Sequence, residues 1–92
     1  MKANSVPSEV SGAAQHPDYK TEIVEVLRSN LTPKIKQERV LDYHENDIAA
    51  ALEMLTAEER GRLYPLLNAE TLADIFVYAD DKTKYMGELG IQ

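Results

Sequence analysis

The chain has 92 residues, 43% of them apolar and none Cys or Trp, so it fits one small hydrophobic core and excludes disulfides and thiolate metal sites. Its net charge of −6 repels polyanions, and we therefore expect no nucleic-acid partner. No apolar run approaches the roughly 20 residues that a membrane-spanning helix needs, which favours a cytosolic polypeptide.

Residues 1–17 are rich in Ser and Pro and poor in apolar groups. They bury too little surface to offset the entropy of ordering, so we predict a disordered leader before a helical-repeat domain over 18–92. Asp18 is the predicted N-cap of the first helix. The apolar residues of this helix recur at helical spacing, at Ile23, Val26, Leu27 and Leu31.

The second and third helices follow from turn chemistry. Thr32 is the predicted N-cap of a helix that begins with Pro33 and runs to about Tyr43, because proline is tolerated at the first helical position. For the third helix, either Asn46 or Asp47 is available as the N-cap. Its apolar face consists of Ile48, Ala51, Leu52 and Leu55.

The fourth helix has the clearest start signal, because Thr56 and Glu59 stand at the spacing of a capping box. Pro65 interrupts its apolar pattern and predicts a kink or an early end. A fifth helix carries apolar residues at helical spacing, and Asp80 is the predicted N-cap of a sixth. We therefore expect six helices and no strands.

The predicted caps repeat at a fixed interval, since Thr32, Thr56 and Asp80 are each 24 residues apart. The apolar positions repeat with nearly the same interval. This pattern predicts an all-α fold in which two-helix repeats stack into a short α-superhelix. The last repeat ends with apolar residues that no following repeat covers, so we expect the chain to be part of a longer array.

Residues that could support catalysis are isolated. His16 falls in the predicted leader and His44 at a helix junction, and no serine stands in a glycine-rich turn beside a base. The four glycines form no phosphate-binding loop. We therefore predict that the chain is not an enzyme and that His44 serves a helix start or a loop.

Acidic residues are concentrated in the second half, where residues 44–92 hold ten acids and four bases. Asp80 and Asp81 form the densest carboxylate pair and are the candidate metal ligands, with Glu58 and Glu59 as the second pair. Magnesium binds through one or two carboxylates and leaves almost no sequence signature. The alternative, which we favour, is that these acids cap helices. The five tyrosines are predicted to pack, with a partner surface as the alternative for one or two of them.

Two segments resemble a known family. HENDIAAALEMLTAEER over residues 44–60 and LLNAETLADIF over 66–76 are similar to the N-terminal domain of MgtE-type magnesium transporters. The similarity extends over roughly residues 19–90. It implies a cytosolic α-superhelical domain that precedes a CBS domain and a transmembrane channel in a membrane-embedded homodimer. It also implies that magnesium between acidic surfaces of the N and CBS domains holds the assembly closed.

A second interpretation remains open, because the pattern is also similar to the helical domain of flagellar motor-switch proteins. A protein-docking scaffold of that kind would bind through an apolar groove and would barely respond to magnesium. No carboxylate of this chain matches a family magnesium ligand one to one, so Asp80 and Asp81 remain candidates from the residues alone.

Overall fold

The computed structural model describes residues 18–90, and within that range all regular structure is helical. The prediction of an all-α fold is therefore confirmed. The predicted leader, with His16, lies outside the described residues. Six α-helices and one 3-10 turn follow in order: α1 Tyr19–Arg28, α2 Pro33–Val40, α3 Glu45–Met54, α4 Ala57–Leu63, the turn Tyr64–Leu66, α5 Ala69–Val77 and α6 Lys82–Glu88.

Three predicted helix starts are confirmed. The Asp18 carboxylate accepts a hydrogen bond from the third backbone N–H of the first helical turn at 3.3 Å. The Thr32 hydroxyl accepts from the Ile35 N–H at 3.3 Å. The capping box is complete, because Thr56 Oγ accepts from the Glu59 N–H at 3.1 Å and Glu59 Oε1 accepts from the Thr56 N–H at 2.9 Å.

The N-cap of α3 differs from the prediction. His44, rather than Asn46 or Asp47, caps this helix, and its Nδ1 accepts from the Asn46 N–H at 3.0 Å. The imidazole nitrogen acts here as a side-chain acceptor of the kind that usually comes from Asn, Asp or Ser. The prediction that His44 serves a helix start is confirmed.

The N-cap of α6 is displaced by one residue from the prediction. Asp81, not Asp80, accepts from the N–H three residues along the chain, at 3.3 Å. At the end of α5, the N–H groups of Tyr78 and Ala79 bond to the carbonyls of Ile75 and Phe76 in a tightened last turn. The interval between the caps of α4 and α6 is therefore 25 residues instead of the predicted 24.

Two helix ends show how the chain leaves a helix. The second helix stops at Val40, before the predicted Tyr43, because the N–H of Tyr43 bonds to the Val40 carbonyl at 3.0 Å and closes a turn. Pro65 has the predicted effect: α4 ends at Leu63 and a 3-10 turn follows. The amide of Gln37 on α2 donates to the Leu66 carbonyl of that turn at 2.6 Å and ties the two elements together.

The odd-numbered helices pack in series, with α3 in contact with both α1 and α5. Side chains on these three helices form the centre of the core, and α2, the 3-10 turn and α6 close it from the side. The least exposed large side chains are Ile23, Val40, Ile48, Leu52, Leu63, Ile75 and Tyr85. This serial packing agrees with the stacked repeats that the sequence predicts.

Candidate functional site

The candidate metal ligands Asp80 and Asp81 lie on the surface between α5 and α6, and both are exposed. One carboxylate oxygen of Asp81 accepts the hydrogen bond that caps α6. Across residues 18–90, no three His, Asp or Glu side chains are grouped so that they could hold a metal ion. Exposed carboxylate oxygens suit magnesium, but a full set of protein ligands would require groups from elsewhere.

The second acidic pair is engaged in structural contacts. Glu59 receives two hydrogen bonds from Arg28, with Nε to Oε2 at 2.7 Å and Nη2 to Oε1 at 3.0 Å, in addition to its contact with Thr56. Glu58 pairs with Arg62 across one turn of α4 at 3.0 Å. The capping interpretation is therefore confirmed for Glu59, whereas Glu58 forms an ion pair, and α1 is linked to α4 through Arg28.

A further acidic pair escaped the sequence analysis. Glu70 and Asp74 are four residues apart on α5, so they share one face of that helix, and both are exposed. The same face continues through Val77 and Tyr78, which are 72% and 49% exposed. Like charges at this spacing destabilise a helix, and a nearby cation relieves the repulsion. The four-residue spacing of Glu70 and Asp74 could have identified this pair from the sequence.

The strongest polar network lies inside the domain and centres on Arg60, which is 5% exposed. Its guanidinium donates to Glu88 through Nε at 2.9 Å and Nη2 at 2.7 Å. Its Nη1 donates to the carbonyls of Leu52 at 3.1 Å and Leu55 at 2.7 Å, which lie at the end of α3. One buried cation thereby joins α3, α4 and α6, and the hydrogen bond from Arg60 lowers the pKa of Glu88.

Two tyrosines complete this network and confirm the packing prediction for these two rings. Tyr85 is fully buried and donates its hydroxyl to Glu53, while the Arg60 guanidinium carbon lies 5.1 Å from the centre of its ring. Tyr64 donates to Glu88 Oε1 at 2.7 Å. Burial raises the pKa of both hydroxyls. This network could not be predicted from the sequence, because its members come from α3, α4, α6 and the 3-10 turn.

The acid stability of the domain is expected to depend on Glu59 and Glu88. Hydrogen bonds from Arg28 lower the pKa of Glu59 to about 2, from an ordinary value of 4.5. A carboxyl with a lowered folded-state pKa stabilises the fold above its ordinary pKa and loses that contribution as the pH falls towards the folded value. Urea unfolding followed between about pH 6 and pH 2 should therefore show stability falling below about pH 5. The variant Glu59→Gln should flatten this fall; equal slopes in both proteins would contradict the assignment.

One protein family matches the second half of the chain. The family described as the MgtE intracellular N domain matches residues 43–85, which run from the turn before α3 to Tyr85 in α6. Residues 43–85, just under half of the chain, are similar to this family. No curated protein and no solved structure matches the chain significantly.

This MgtE segment contains His44, Arg60 and the acidic residues from Glu45 to Asp81. The resemblance predicted from the sequence is confirmed over this segment, whereas α1 and α2 lie outside the match. MgtE is a family of magnesium transporters and not a family of enzymes. In the part of the chain that the structure describes, no helix has the length and apolarity needed to cross a membrane.

Proposed function

We propose that this MgtE N domain is a magnesium-responsive regulatory domain on the cytosolic side of a magnesium transporter. The observation that carries the proposal is the concentration of exposed carboxylates on and after α5, at Glu70, Asp74, Asp80 and Asp81, within the segment that matches the family. Residues 44–92 hold ten acids and only four bases, two of which, Lys82 and Lys84, follow Asp80 and Asp81 closely.

The mechanism rests on repulsion between acidic surfaces. When this domain meets an acidic face of a CBS domain of the same full-length chain, unscreened carboxylates repel each other. A divalent cation between the two faces relieves the repulsion and favours the closed arrangement, so loss of magnesium loosens the domain. Because the ion prefers one arrangement over the other, its concentration is coupled to gating.

The chemistry of the residues agrees with weak, shared binding. Magnesium keeps several of its waters and is held by one or two carboxylates, so Asp80 together with one neighbour suffices for a weak contact. A tight site would need a larger ligand group, and residues 18–90 contain none. We therefore expect this domain to bind magnesium more tightly when the CBS domain is present.

The test is a magnesium titration of the chain by NMR at constant ionic strength, with potassium as the balancing ion. Saturable shifts of backbone amides are expected between Glu70 and Asp81. The double variant Asp80→Asn and Asp81→Asn should weaken them, because asparagine keeps the cap of α6 and removes both charges. Glu38→Gln, an exposed acid on α2 outside the matched segment, is the control and should change nothing.

Uniformly small shifts that the double variant leaves unchanged would contradict ion contact by this chain. A parallel titration with a purified MgtE CBS domain pair tests the partner. Magnesium is expected to strengthen the complex, and a complex whose affinity is equal with and without magnesium would contradict the regulatory mechanism.

The scaffold interpretation has one structural observation in its favour. An open groove of about 310 Å³ lies between α5 and α6, and its lining is mostly apolar, including Leu72, Phe76, Met86 and Leu89. A docking scaffold would use such a groove, and its binding would not depend on magnesium. The family match favours the transporter domain, and the magnesium titration separates the two interpretations.

A further inference from the structure

A second groove, of about 560 Å³, lies where the end of α1, the start of α2 and α4 meet. Its apolar lining comes from Leu27, Pro33, Leu63 and Leu66. Among these, Leu63 belongs to the buried core, and Pro33 is exposed at the rim. The groove therefore offers an apolar floor that is open to solvent.

The net charge of the residues that line this groove is opposite in sign to the net charge of the protein. Three bases, Arg28, Lys36 and Arg62, line it with a single acid, Glu59. The chain has a net charge of −6, so a concave surface with two excess positive charges is a local exception. Charges arranged in this way attract and orient an anionic partner.

The contacts of the three bases show which are available to a ligand. Arg28 is held by both oxygens of Glu59 and neutralises that carboxylate. Lys36 donates to the neutral carbonyl of Leu27 at 2.9 Å and forms no salt bridge within residues 18–90, so its charge is uncompensated there.

The third base, Arg62, is paired only loosely. Its partner is Glu58, and the two side chains are 71% and 78% exposed. Pairs this exposed contribute little and exchange readily, because water and salt screen them. Lys36 and Arg62 therefore line the groove from two different helices, and both can donate hydrogen bonds to a carboxylate of a ligand.

We propose that this groove, which we call the α1–α4 groove, binds an acidic peptide segment. An apolar side chain of the peptide would pack on the apolar lining, and its carboxylates would pair with Lys36 and Arg62. A peptide supplies both the apolar side chain and the carboxylates that this lining would bind. A groove of this size accommodates one or two aliphatic side chains, which a peptide supplies and the sugar-phosphate backbone of a nucleic acid does not. The inference is independent of the proposed magnesium response.

The test uses a fluorescein-labelled, end-capped peptide of alternating glutamate and leucine, with the glutamine–leucine peptide as the charge control. Fluorescence anisotropy should show saturable binding of the glutamate peptide at concentrations up to about 1 mM, weakening as salt is raised. The glutamine peptide should bind at least about fivefold more weakly.

A pair of matched double variants locates the site. Lys36→Gln with Arg62→Gln should weaken binding of the glutamate peptide at least about fivefold. Lys34→Gln with Arg39→Gln removes two exposed bases of α2 that do not line the groove, and it should leave the affinity unchanged. Circular dichroism melts of both variants establish that each remains folded.

Three outcomes of the binding measurements would overturn the proposal. They are an absence of saturable binding, an equal loss in the two double variants, and binding to phosphatidylserine vesicles that depends on Lys36 and Arg62 while the peptide does not bind. Amide shifts that cluster in α5 and α6 instead of the α1–α4 groove would also overturn it, because the peptide would then occupy the other groove.

Discussion

Replacing Glu88 with alanine is expected to lower the free energy of unfolding by about 3 kcal/mol. The substitution removes the only carboxylate bound to the Arg60 guanidinium among the described residues, while the Arg60 side chain is only 6% exposed. A buried cation without its partner is costly, and the effect falls at the lower end of the usual range because the Glu88 side chain is 22% exposed. Urea unfolding followed by far-ultraviolet circular dichroism measures the change.

The control for this prediction is Glu58→Ala, which also removes a carboxylate from an arginine. The Glu58–Arg62 pair is exposed, so its loss should change stability by less than about 0.5 kcal/mol. A further variant, Glu88→Gln, keeps a hydrogen-bond acceptor beside Arg60 and should cost less than alanine. If Glu88→Ala and Glu58→Ala have equal effects, the buried network does not stabilise the domain.

Replacing Leu52 with alanine is expected to cost a similar amount, about 3 kcal/mol. Leu52 is 1% exposed on α3, the helix that contacts both α1 and α5, so the cavity would form where the repeats join. A domain with one small core has a total stability near the lower end of about 5–15 kcal/mol, so this loss is a large fraction of the whole. The thermal midpoint should fall by more than about 10 °C.

The matched control for Leu52 lies two residues away on the same helix. Met54 is 42% exposed, and Met54→Ala should cost less than about 1 kcal/mol because a large part of its surface already meets water. Equal losses for the two variants would contradict the central position of α3 in the core. Thermal melts of both proteins at one pH and ionic strength provide the comparison.

Local signals explain why three of the six helix starts were predicted correctly. The caps at Asp18, Thr32 and Thr56 each involve groups no more than three residues apart. The local sequence pattern therefore already specifies which groups form the hydrogen bond. The two errors concern neighbouring residues: a nitrogen of His44 caps α3 in place of a usual capping side chain, and Asp81 caps α6 in place of Asp80.

The candidate site was only partly predictable. Asp80 and Asp81 were found by their density, and Glu70 and Asp74 could have been found by their helical spacing. The Arg60–Glu88 pair had no such signal, since its members are 28 residues apart and each resembles an ordinary surface residue in the sequence. Burial of Arg60 becomes visible only when three helices are placed together.

By itself, the sequence determined the helical class, the two-helix repeat, the end of α4 before Pro65 and the likeness to the MgtE intracellular N domain. These features depend on neighbours within a turn or two, where spacing and side-chain type decide the outcome. Only the tertiary structure decided that Arg60 is buried with Glu88, that Glu59 is held by Arg28, and that an excess of bases lines the α1–α4 groove. Each of these joins residues from different helices, and the energy that selects them comes from packing and desolvation, which no local pattern records.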